Sequence, residues 1–267
     1  MTHVSVCIGK YKADLDRPLN ISIPVRFGDE QLSAFGGPPA YREPYTVGKF
    51  VGDVRRGGSC NCETYHFSPH LNGTHTECVG HITAARISVH EIMQGGLLPA
   101  TLVTVAPLPA AMAKEQCDPL PRCEDLLITG AALKNTLSKC PAEFLTALIV
   151  RTLPNGPEKI THDYSRAAAP YFSVEAMEVI RVLGVQHLLV DMPSIDRLDD
   201  EGKLTNHRLF WDVPRGSTNV ERPSAKTVTE LVYVPDAVPD GSYVLNLQVA
   251  AFTADAAPSG PVLYRVL

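Results

Sequence analysis

Metal-binding side chains are concentrated between residues 70 and 81 of this chain. The segment HLNGTHTECVGH contains three of the chain's nine histidines, together with a carboxylate and a thiol. These side chains are His70, His75, Glu77, Cys78 and His81. Imidazole nitrogen and carboxylate oxygen favour Zn²⁺, Mn²⁺ or Fe²⁺ over Ca²⁺ or Mg²⁺. A polar surface loop would explain one or two such histidines, but this density predicts a metal or catalytic site.

The spacing of these residues predicts how they meet. His75 and Glu77 are two residues apart, so their side chains lie on the same face if the segment is a strand. His70 is separated from them by the Asn72–Gly73 turn and approaches from the loop side. His81 lies four residues beyond Glu77 and is either a further ligand or a base beside the metal.

The segment resembles the His-x-Gly-Thr-His-x-Asp-x-Pro-x-His signature of the cyclase family, which includes bacterial kynurenine formamidase, isatin hydrolase and related metal-dependent hydrolases. Four positions match in place: Gly73, Thr74, His75 and His81. Glu77 stands where the family has Asp, and Cys78 and Val79 stand where it has Ala or Ser and then Pro. One extra residue lies between His70 and Gly73, so His70 aligns with the first family histidine only if the loop bulges.

The resemblance extends along most of the chain. Segments 14–19 and 190–196 are similar to the family's opening strand and to its Gly-x-Asp-Thr-Pro-Ser-x-Asp motif. His207 falls where the family places a further site histidine, and Glu230 falls where it places a site glutamate. The resemblance implies an α/β fold with mixed sheets in the family's swivelling β/β/α architecture, formed as a single domain from residues 1–267.

The resemblance also implies a role for each residue of the site. The implied metal ligands are His70, His75, Glu77 and His207, and the implied catalytic residues are His81 and Glu230. His81 would be the general base that takes a proton from a water activated by a divalent metal, Zn or Mn. His207 and Glu230 would either bind a second ion or orient the catalytic histidine, so both one and two ions remain open.

The implied reaction is hydrolysis of an amide bond in a small-molecule substrate, an aryl formamide or a cyclic amide. Two alternatives stay open: a lactone hydrolase or cyclase, and a non-catalytic relative that binds a small molecule at an altered metal site. The departures from the signature bear on this choice. Glu77 is one methylene longer than Asp, and Asn72 or a water could replace His70 as a ligand. Cys78 is either a small packing residue or a soft ligand that would favour Zn²⁺.

Two residues outside these motifs are candidates for substrate binding. Arg166, which lies in a segment with His162 and Tyr164, could hold a substrate carboxylate or could belong to a solvated loop. Trp211 follows His207 by four residues and could line the substrate pocket, or belong to the core or to an interface.

The composition limits the function classes. Of the 267 residues, 45% are hydrophobic, which is enough for a sizeable core, and the net charge is −5 at pH 7. An acidic chain argues against a nucleic-acid partner, because phosphate binding requires a basic surface. The sequence contains no run of about 18 apolar residues, so no membrane span is predicted. Seven irregularly spaced cysteines, and an N-terminus without a signal-peptide pattern, predict a cytoplasmic protein with free thiols.

The elements that must position the site are predicted from caps and apolar periodicity. Two helices are predicted, one from Thr129 to about Leu137 and one from Ser173 to Gly184, each with a capping side chain. Buried strands are predicted at 102–105, 146–150, 187–190 and 243–249, and an edge or arm strand at 21–25. The resemblance implies a homodimer or homotetramer with exchanged arms, and residues 1–45 are the candidate arm.

Overall fold

The computed structural model of the chain, which describes residues 4–28, 30–93, 95–165 and 168–267, is built around a nine-stranded mixed sheet. Within those ranges the strands are β1 (Ser5–Ile8), β2 (Tyr11–Asp14), β3 (Leu19–Asn20), β4 (Tyr41–Pro44), β5 (Thr46–Val47), β6 (Phe50–Val51), β7 (Glu63–His66), β8 (His75–Glu77), β9 (Leu97–Val105), β10 (Leu108–Pro109), β11 (Leu126–Ile128), β12 (Ala147–Thr152), β13 (Tyr171–Phe172), β14 (His187–Val190), β15 (Thr227–Glu230), β16 (Gly241–Asn246), β17 (Ala256–Pro258) and β18 (Val262–Arg265).

Six α-helices lie in the same described ranges. They are α1 (Pro69–Asn72), α2 (Val89–Ile92), α3 (Ala110–Ala113), α4 (Gly130–Leu137), α5 (Val174–Val182) and α6 (Thr205–Trp211). Four 3₁₀ turns add to them, at Val54–Arg56, Val79–Ile82, Ala142–Phe144 and Pro157–Thr161. None of the helices described is long and apolar enough to cross a membrane.

The nine-stranded sheet has a parallel centre and antiparallel margins. Its strand order is β17-β8-β15-β14-β12-β9-β16-β18-β3. Strands β15, β14, β12 and β9 are parallel, whereas β8 and β17 extend the sheet antiparallel on one side and β16, β18 and β3 on the other. Strands β10, β11 and β13 form a separate three-stranded sheet, and three pairs remain: β1–β2, β4–β7 and β5–β6. The predicted mixed α/β architecture is therefore confirmed.

The central strands are buried on both faces, as their continuous apolar sequences predict. In β12, Leu148 and Val150 pack into one core cluster with Ile180 of α5, while Ile149 packs into a second cluster with Leu189. Successive strand residues point to opposite faces, so one strand contributes to both cores. Each fully buried aliphatic side chain contributes about 1.5–3 kcal/mol of burial free energy.

The two predicted helices are confirmed, together with their caps. The Thr129 hydroxyl accepts the Ala132 N–H at 3.1 Å at the start of α4, and the Ser173 hydroxyl accepts the Ala176 N–H at 3.0 Å at the start of α5. These bonds satisfy N–H groups that have no partner within the helix. Gly184, with φ of 74°, follows the end of α5 in the left-handed conformation that glycine favours.

The strand predicted at 187–190 is β14 with the predicted limits, the strand predicted at 146–150 is β12 at Ala147–Thr152, two further strands have other limits, and one prediction is wrong. The strand predicted at 102–105 is the end of the longer β9, and the strand predicted at 243–249 is β16, which ends at Asn246. The strand predicted at 21–25 does not form. Ile21 donates one backbone hydrogen bond to Pro261, and Ser22 forms an isolated bridge to Val232. The segment makes single contacts with residues next to β18 and β15, which are not neighbours in the sheet, instead of pairing along one strand, and Pro24 has no N–H to donate.

Candidate metal centre

Strand β8 holds two of the predicted ligands between two neighbouring strands. His75 lies opposite Glu230 of β15, and Glu77 lies opposite Ala256 of β17. The side-chain donor atoms of His75, Glu77 and Glu230 lie within 4.8 Å of one another, so both β8 residues face the same side of the sheet. All three residues are buried, with 0%, 1% and 3% of their surfaces exposed.

The Gly-Thr pair before β8 fixes the entry of this strand. A Cβ atom on Gly73 would lie 3.0 Å from the carbonyl oxygen of Ile23, which is closer than side chains normally approach. The Thr74 hydroxyl accepts the Ile23 N–H at 2.7 Å and donates to the Leu231 carbonyl, directly after Glu230. These two residues of the signature therefore tie β8 to the end of β15.

His70 and the residues that follow it up to Asn72 lie in the helical turn α1. This turn places His70 Nδ1 at 3.2 Å from Glu77 Oε2. The His70 and His75 rings also meet, with centroids 5.0 Å apart. His70 thus reaches the predicted ligands despite the longer loop.

The two alternative ligands have other partners. The Asn72 side chain accepts the Ser68 N–H at 2.9 Å and donates to the Pro38 carbonyl at 3.3 Å. The Cys78 thiol is buried in the core and donates to the Ile87 carbonyl at 3.4 Å. Burial raises the pKa of Cys78 to about 11, so the thiol stays protonated near neutral pH. Both side chains support the local structure.

His207 is positioned by the loop after β14 and by α6. Its Nδ1 lies 2.7 Å from Asp196 Oδ2, and Asp196 also accepts the backbone N–H groups of Asn206 and His207 at 2.8 and 3.2 Å. Its Nε2 lies 2.9 Å from Glu77 Oε1 and 3.7 Å from Glu230 Oε1. Burial alone would lower the pKa of His207, but Glu77 and the hydrogen bond with Asp196 raise this pKa well above its ordinary value.

Glu77 connects the two sides of the cluster. Its Oε1 faces His207, while its Oε2 lies 3.2 Å from His70 Nδ1 and 3.7 Å from His81 Nδ1. Burial alone would raise the pKa of Glu77, but His81 and His207 hold this pKa well below its ordinary value. The carboxylate is therefore ionised, as a metal ligand must be.

His81 and His70 share a further carboxylate, Asp255. Asp255 Oδ2 lies 3.2 Å from His81 Nδ1 and 3.1 Å from His70 Nε2. Burial opposes protonation of His70, but hydrogen bonds with Asp255 and Glu77 raise its pKa from 6.5 to about 10. The same two imidazoles lower the pKa of Asp255. We call His70, His75, Glu77, His81, His207 and Glu230 the histidine–carboxylate cluster.

The surroundings of the buried His75 ring indicate whether this cluster fits a cation. His75 Nδ1 lies 3.1 Å from the Gly73 carbonyl, which can only accept, so Nδ1 carries the proton. Nε2 has no hydrogen-bond partner and lies 3.4 Å from Glu230 Oε2, and in the neutral ring it presents a lone pair. A lone pair facing a carboxylate inside a protein is unfavourable unless a positive charge joins them. The cluster therefore fits a divalent cation.

A cavity of about 310 Å³ opens onto the cluster. Glu77, His81, His207 and Glu230 line it beside His70, and its apolar wall contains Phe35, Leu71, Leu198 and Leu204. Arg197 is the arginine that lines this cavity, and it also lies 3.7 Å from Asp125. The cavity is large enough for a small molecule with one ring.

Neither predicted substrate-binding residue is found lining this cavity: Trp211 is buried, and Arg166 is outside the residues that the structure describes. Trp211 is buried beside His207, with ring centroids 5.2 Å apart, and its indole N–H donates to the Lys226 carbonyl at 3.0 Å. Arg166 falls outside the described residues. Its predicted companions His162 and Tyr164 line a different cavity of about 230 Å³.

Comparison with known families shows which family this chain matches. Residues 13–197 match the family model named Cyclase. The chain belongs to the cyclase family. The matched residues include the signature and Asp196, whereas His207, Glu230 and Asp255 lie beyond them. Among curated proteins, none matches the sequence.

Solved structures share the cyclase-family fold over nearly the whole chain. A predicted metal-dependent hydrolase from Bacillus stearothermophilus is 15% identical, with a TM-score of 0.59, and the match covers 93% of this chain and 98% of that one. An isatin hydrolase bound to the product analogue thioisatinate is 12% identical, with a TM-score of 0.58 and coverage of 93% and 92%. Isatin hydrolase A from Labrenzia aggregata is 13% identical, with a TM-score of 0.57 and coverage of 93% of both chains. At these identities the likeness concerns the fold.

Sequence reasoning missed two carboxylates of the site. Asp196 was visible as part of the segment 190–196, and its spacing of eleven residues from His207 was the available signal. Asp255 is a single acid between alanines near the end of the chain, and its sequence context gave no signal. Only the pairing of β17 with β8 brings it to the cluster.

Proposed function

We propose that this cyclase-family protein is a metal-dependent hydrolase that cleaves a carbon–nitrogen amide bond in an aryl formamide or a cyclic amide. The observation that carries the proposal is the buried His75 Nε2, which has no hydrogen-bond partner and faces Glu230 within a cluster of further ligand-type side chains. The isatin hydrolases of the same fold support hydrolysis of an amide, because isatin is a cyclic amide.

The proposed cation, Zn²⁺ or Mn²⁺, takes its donors from His70, His75 and Glu77. Glu77 supports this, because it belongs to two groups whose donor atoms lie within 4.8 Å of one another, one with His70 and His81 and one with His75 and Glu230. His207, which faces the other oxygen of Glu77, and Glu230, which lies beside His207, are donors for a second ion or hold the first set in place. A divalent cation in such a site lowers the pKa of a water to about 7 and polarises a carbonyl. The buried carboxylates supply negative charge that balances the positive charge of the cation.

His81 is the proposed general base. It lines the cavity, and its Nδ1 is occupied by Asp255, so its Nε2 can accept a proton. The water oxygen would bond to the carbonyl carbon, and the proton taken from that water would pass from His81 to the leaving nitrogen as the carbon–nitrogen bond breaks. The apolar wall of the cavity would hold the ring of the substrate beside the carbonyl that is attacked.

A hydrolysis screen tests the proposal. Metal-loaded protein is assayed with aryl formamides, lactams and lactones, next to the variants His81→Gln and His90→Gln. We expect turnover of an amide, a fall in kcat of about 10²–10⁴ for His81→Gln with the metal retained, and no change for His90→Gln, which alters an exposed histidine of α2. Turnover of lactones alone, or of nothing while metal is bound, would contradict the proposal and favour one of the alternatives.

A further inference from the structure

One carboxylate outside the signature contacts two of its histidines. Asp255 Oδ2 lies 3.1 Å from His70 Nε2 and 3.2 Å from His81 Nδ1. A carboxylate only accepts hydrogen bonds, so each of these ring nitrogens donates an N–H to Asp255. Asp255 therefore fixes one protonated nitrogen in each ring, Nε2 of His70 and Nδ1 of His81.

The backbone holds Asp255 in this position. It lies one residue before β17, and its carbonyl accepts the Cys78 N–H at 3.0 Å, directly after β8. The preceding residue, Ala254, accepts the Val89 N–H at 2.9 Å. Two hydrogen bonds to separate elements thus fix the carboxylate on a rigid support, as a positioned site requires.

Asp255 approaches His81 from the side opposite the substrate cavity, which leaves His81 Nε2 free to act as a base. His81 lines both the cavity of about 310 Å³ at the cluster and a second, polar cavity of about 330 Å³. Asp255 lines the second cavity and does not line the first. It therefore holds His81 from the side away from the substrate cavity, with Nε2 as the remaining acceptor.

We propose that Asp255 is a positioning residue that fixes the tautomers of His70 and His81. This inference rests on the proposed function of the site. With Nε2–H of His70 donated to Asp255, Nδ1 would be the nitrogen left to bind a cation, which would replace the proton that Nδ1 shares with Glu77 in the metal-free protein. With Nδ1–H of His81 donated to the same oxygen, His81 Nε2 is the base. A carboxylate behind a metal-binding or catalytic histidine orients the ring and raises its basicity.

The test compares Asp255→Asn with the parent chain. Asparagine keeps the size of the side chain, but its single carbonyl can accept from only one imidazole, and its NH₂ opposes the N–H of the other. We expect zinc affinity, measured by chelator competition, to fall about 10–100-fold. We expect kcat to fall about 10²-fold or more with KM nearly unchanged, because the change affects the base and not the substrate pocket.

A spectroscopic readout separates positioning from simple support of the fold. Long-range ¹H–¹⁵N spectra of histidine-labelled protein at saturating zinc report the tautomer of His81, whose signals are assigned with His81→Gln. We expect the Nδ1–H tautomer in the parent and a loss of that preference in Asp255→Asn. The matched control is Asp240→Asn, which removes a carboxylate of similar exposure that binds Thr104 and Arg151. The control should lower Tm and leave zinc affinity and the His81 tautomer unchanged.

The outcomes distinguish the two proposals. If the parent chain binds no divalent cation, the proposed function fails and the positioning role fails with it. If the parent binds zinc and Asp255→Asn binds it equally tightly with the same His81 tautomer, the positioning role alone is overturned. A loss of affinity with an unchanged His81 tautomer at saturating zinc also overturns it.

Discussion

Glu77 is the residue at which this chain departs most clearly from the cyclase signature. An aspartate on the same backbone would withdraw the carboxylate by about 1.5 Å, the length of one carbon–carbon bond. The contacts of 2.9 Å to His207 and 3.2 Å to His70 would then be lost. The helical turn α1 places His70 near the cluster, and the longer side chain of Glu77 reaches His70 there. The two features therefore act together.

His70 also makes the stability of the metal-free protein depend on pH. Its pKa is about 10 in the folded protein, against an ordinary value of 6.5. A raised pKa means that its stabilising contribution is complete below about pH 6.5 and is lost as the pH rises through about 10. We expect the Tm of the metal-free parent to fall between pH 6.5 and pH 10, and His70→Gln to reduce this fall. An equal fall in both proteins, measured by thermal denaturation, would refute the assignment to His70.

At the scale of elements, the helices and central strands could be predicted because their signals are local. Caps at Thr129 and Ser173 and the apolar runs of β12 and β14 depend on neighbouring residues in the sequence. Segment 21–25 was predicted wrongly because an apolar run does not reveal whether a partner strand lies beside it. Asp255 could not be predicted because its contact with His81 spans 174 residues of chain.

The turn after β8 has a close contact that a substitution can test. A Cβ atom on Gly80 would lie 2.2 Å from the backbone carbonyl oxygen of Ile87, so the backbone beside His81 would have to shift. We expect Gly80→Ala to lower the free energy of unfolding by about 1–3 kcal/mol, the usual cost of overpacking. The control Gly260→Ala meets no atom within 4 Å and should change it by less than about 1 kcal/mol. Equal denaturation midpoints for the two variants would contradict this account.

At the scale of the whole molecule, the cluster lies where an α/β fold usually places its ligand. Glu230 ends the parallel strand β15, and the loop that carries Asp196 follows its parallel neighbour β14. Ligands bind outside the carboxyl ends of such strands because the loops there converge. The signature alone could predict the ligands near residue 75, but the other side chains of the site come from separate segments: His207 from α6, Glu230 from β15, Asp196 from the loop after β14 and Asp255 from the residue before β17.

The predicted assembly into a homodimer or homotetramer concerns the surface of the molecule. Tyr41 and Tyr45, at the end of the candidate arm 1–45, expose 52% and 47% of their surfaces. We expect the parent chain to sediment as a dimer or tetramer and Tyr45→Asp to shift it toward a monomer, because a charge opposes burial at an interface. Val182→Asp, which alters an exposed residue of α5, is the control and should sediment as the parent does. A monomeric parent in analytical ultracentrifugation would refute the prediction.

The metal content of the untagged protein tests the central claim most directly. After loading with zinc or manganese and exhaustive dialysis, mass spectrometry counts the ions per chain in the parent and in His75→Ala. We predict one or two ions per chain in the parent and the loss of at least one in His75→Ala, because His75 is fully buried and its Nε2 has no other partner. A parent chain without bound metal, or a His75→Ala variant that retains the full complement, would contradict the account.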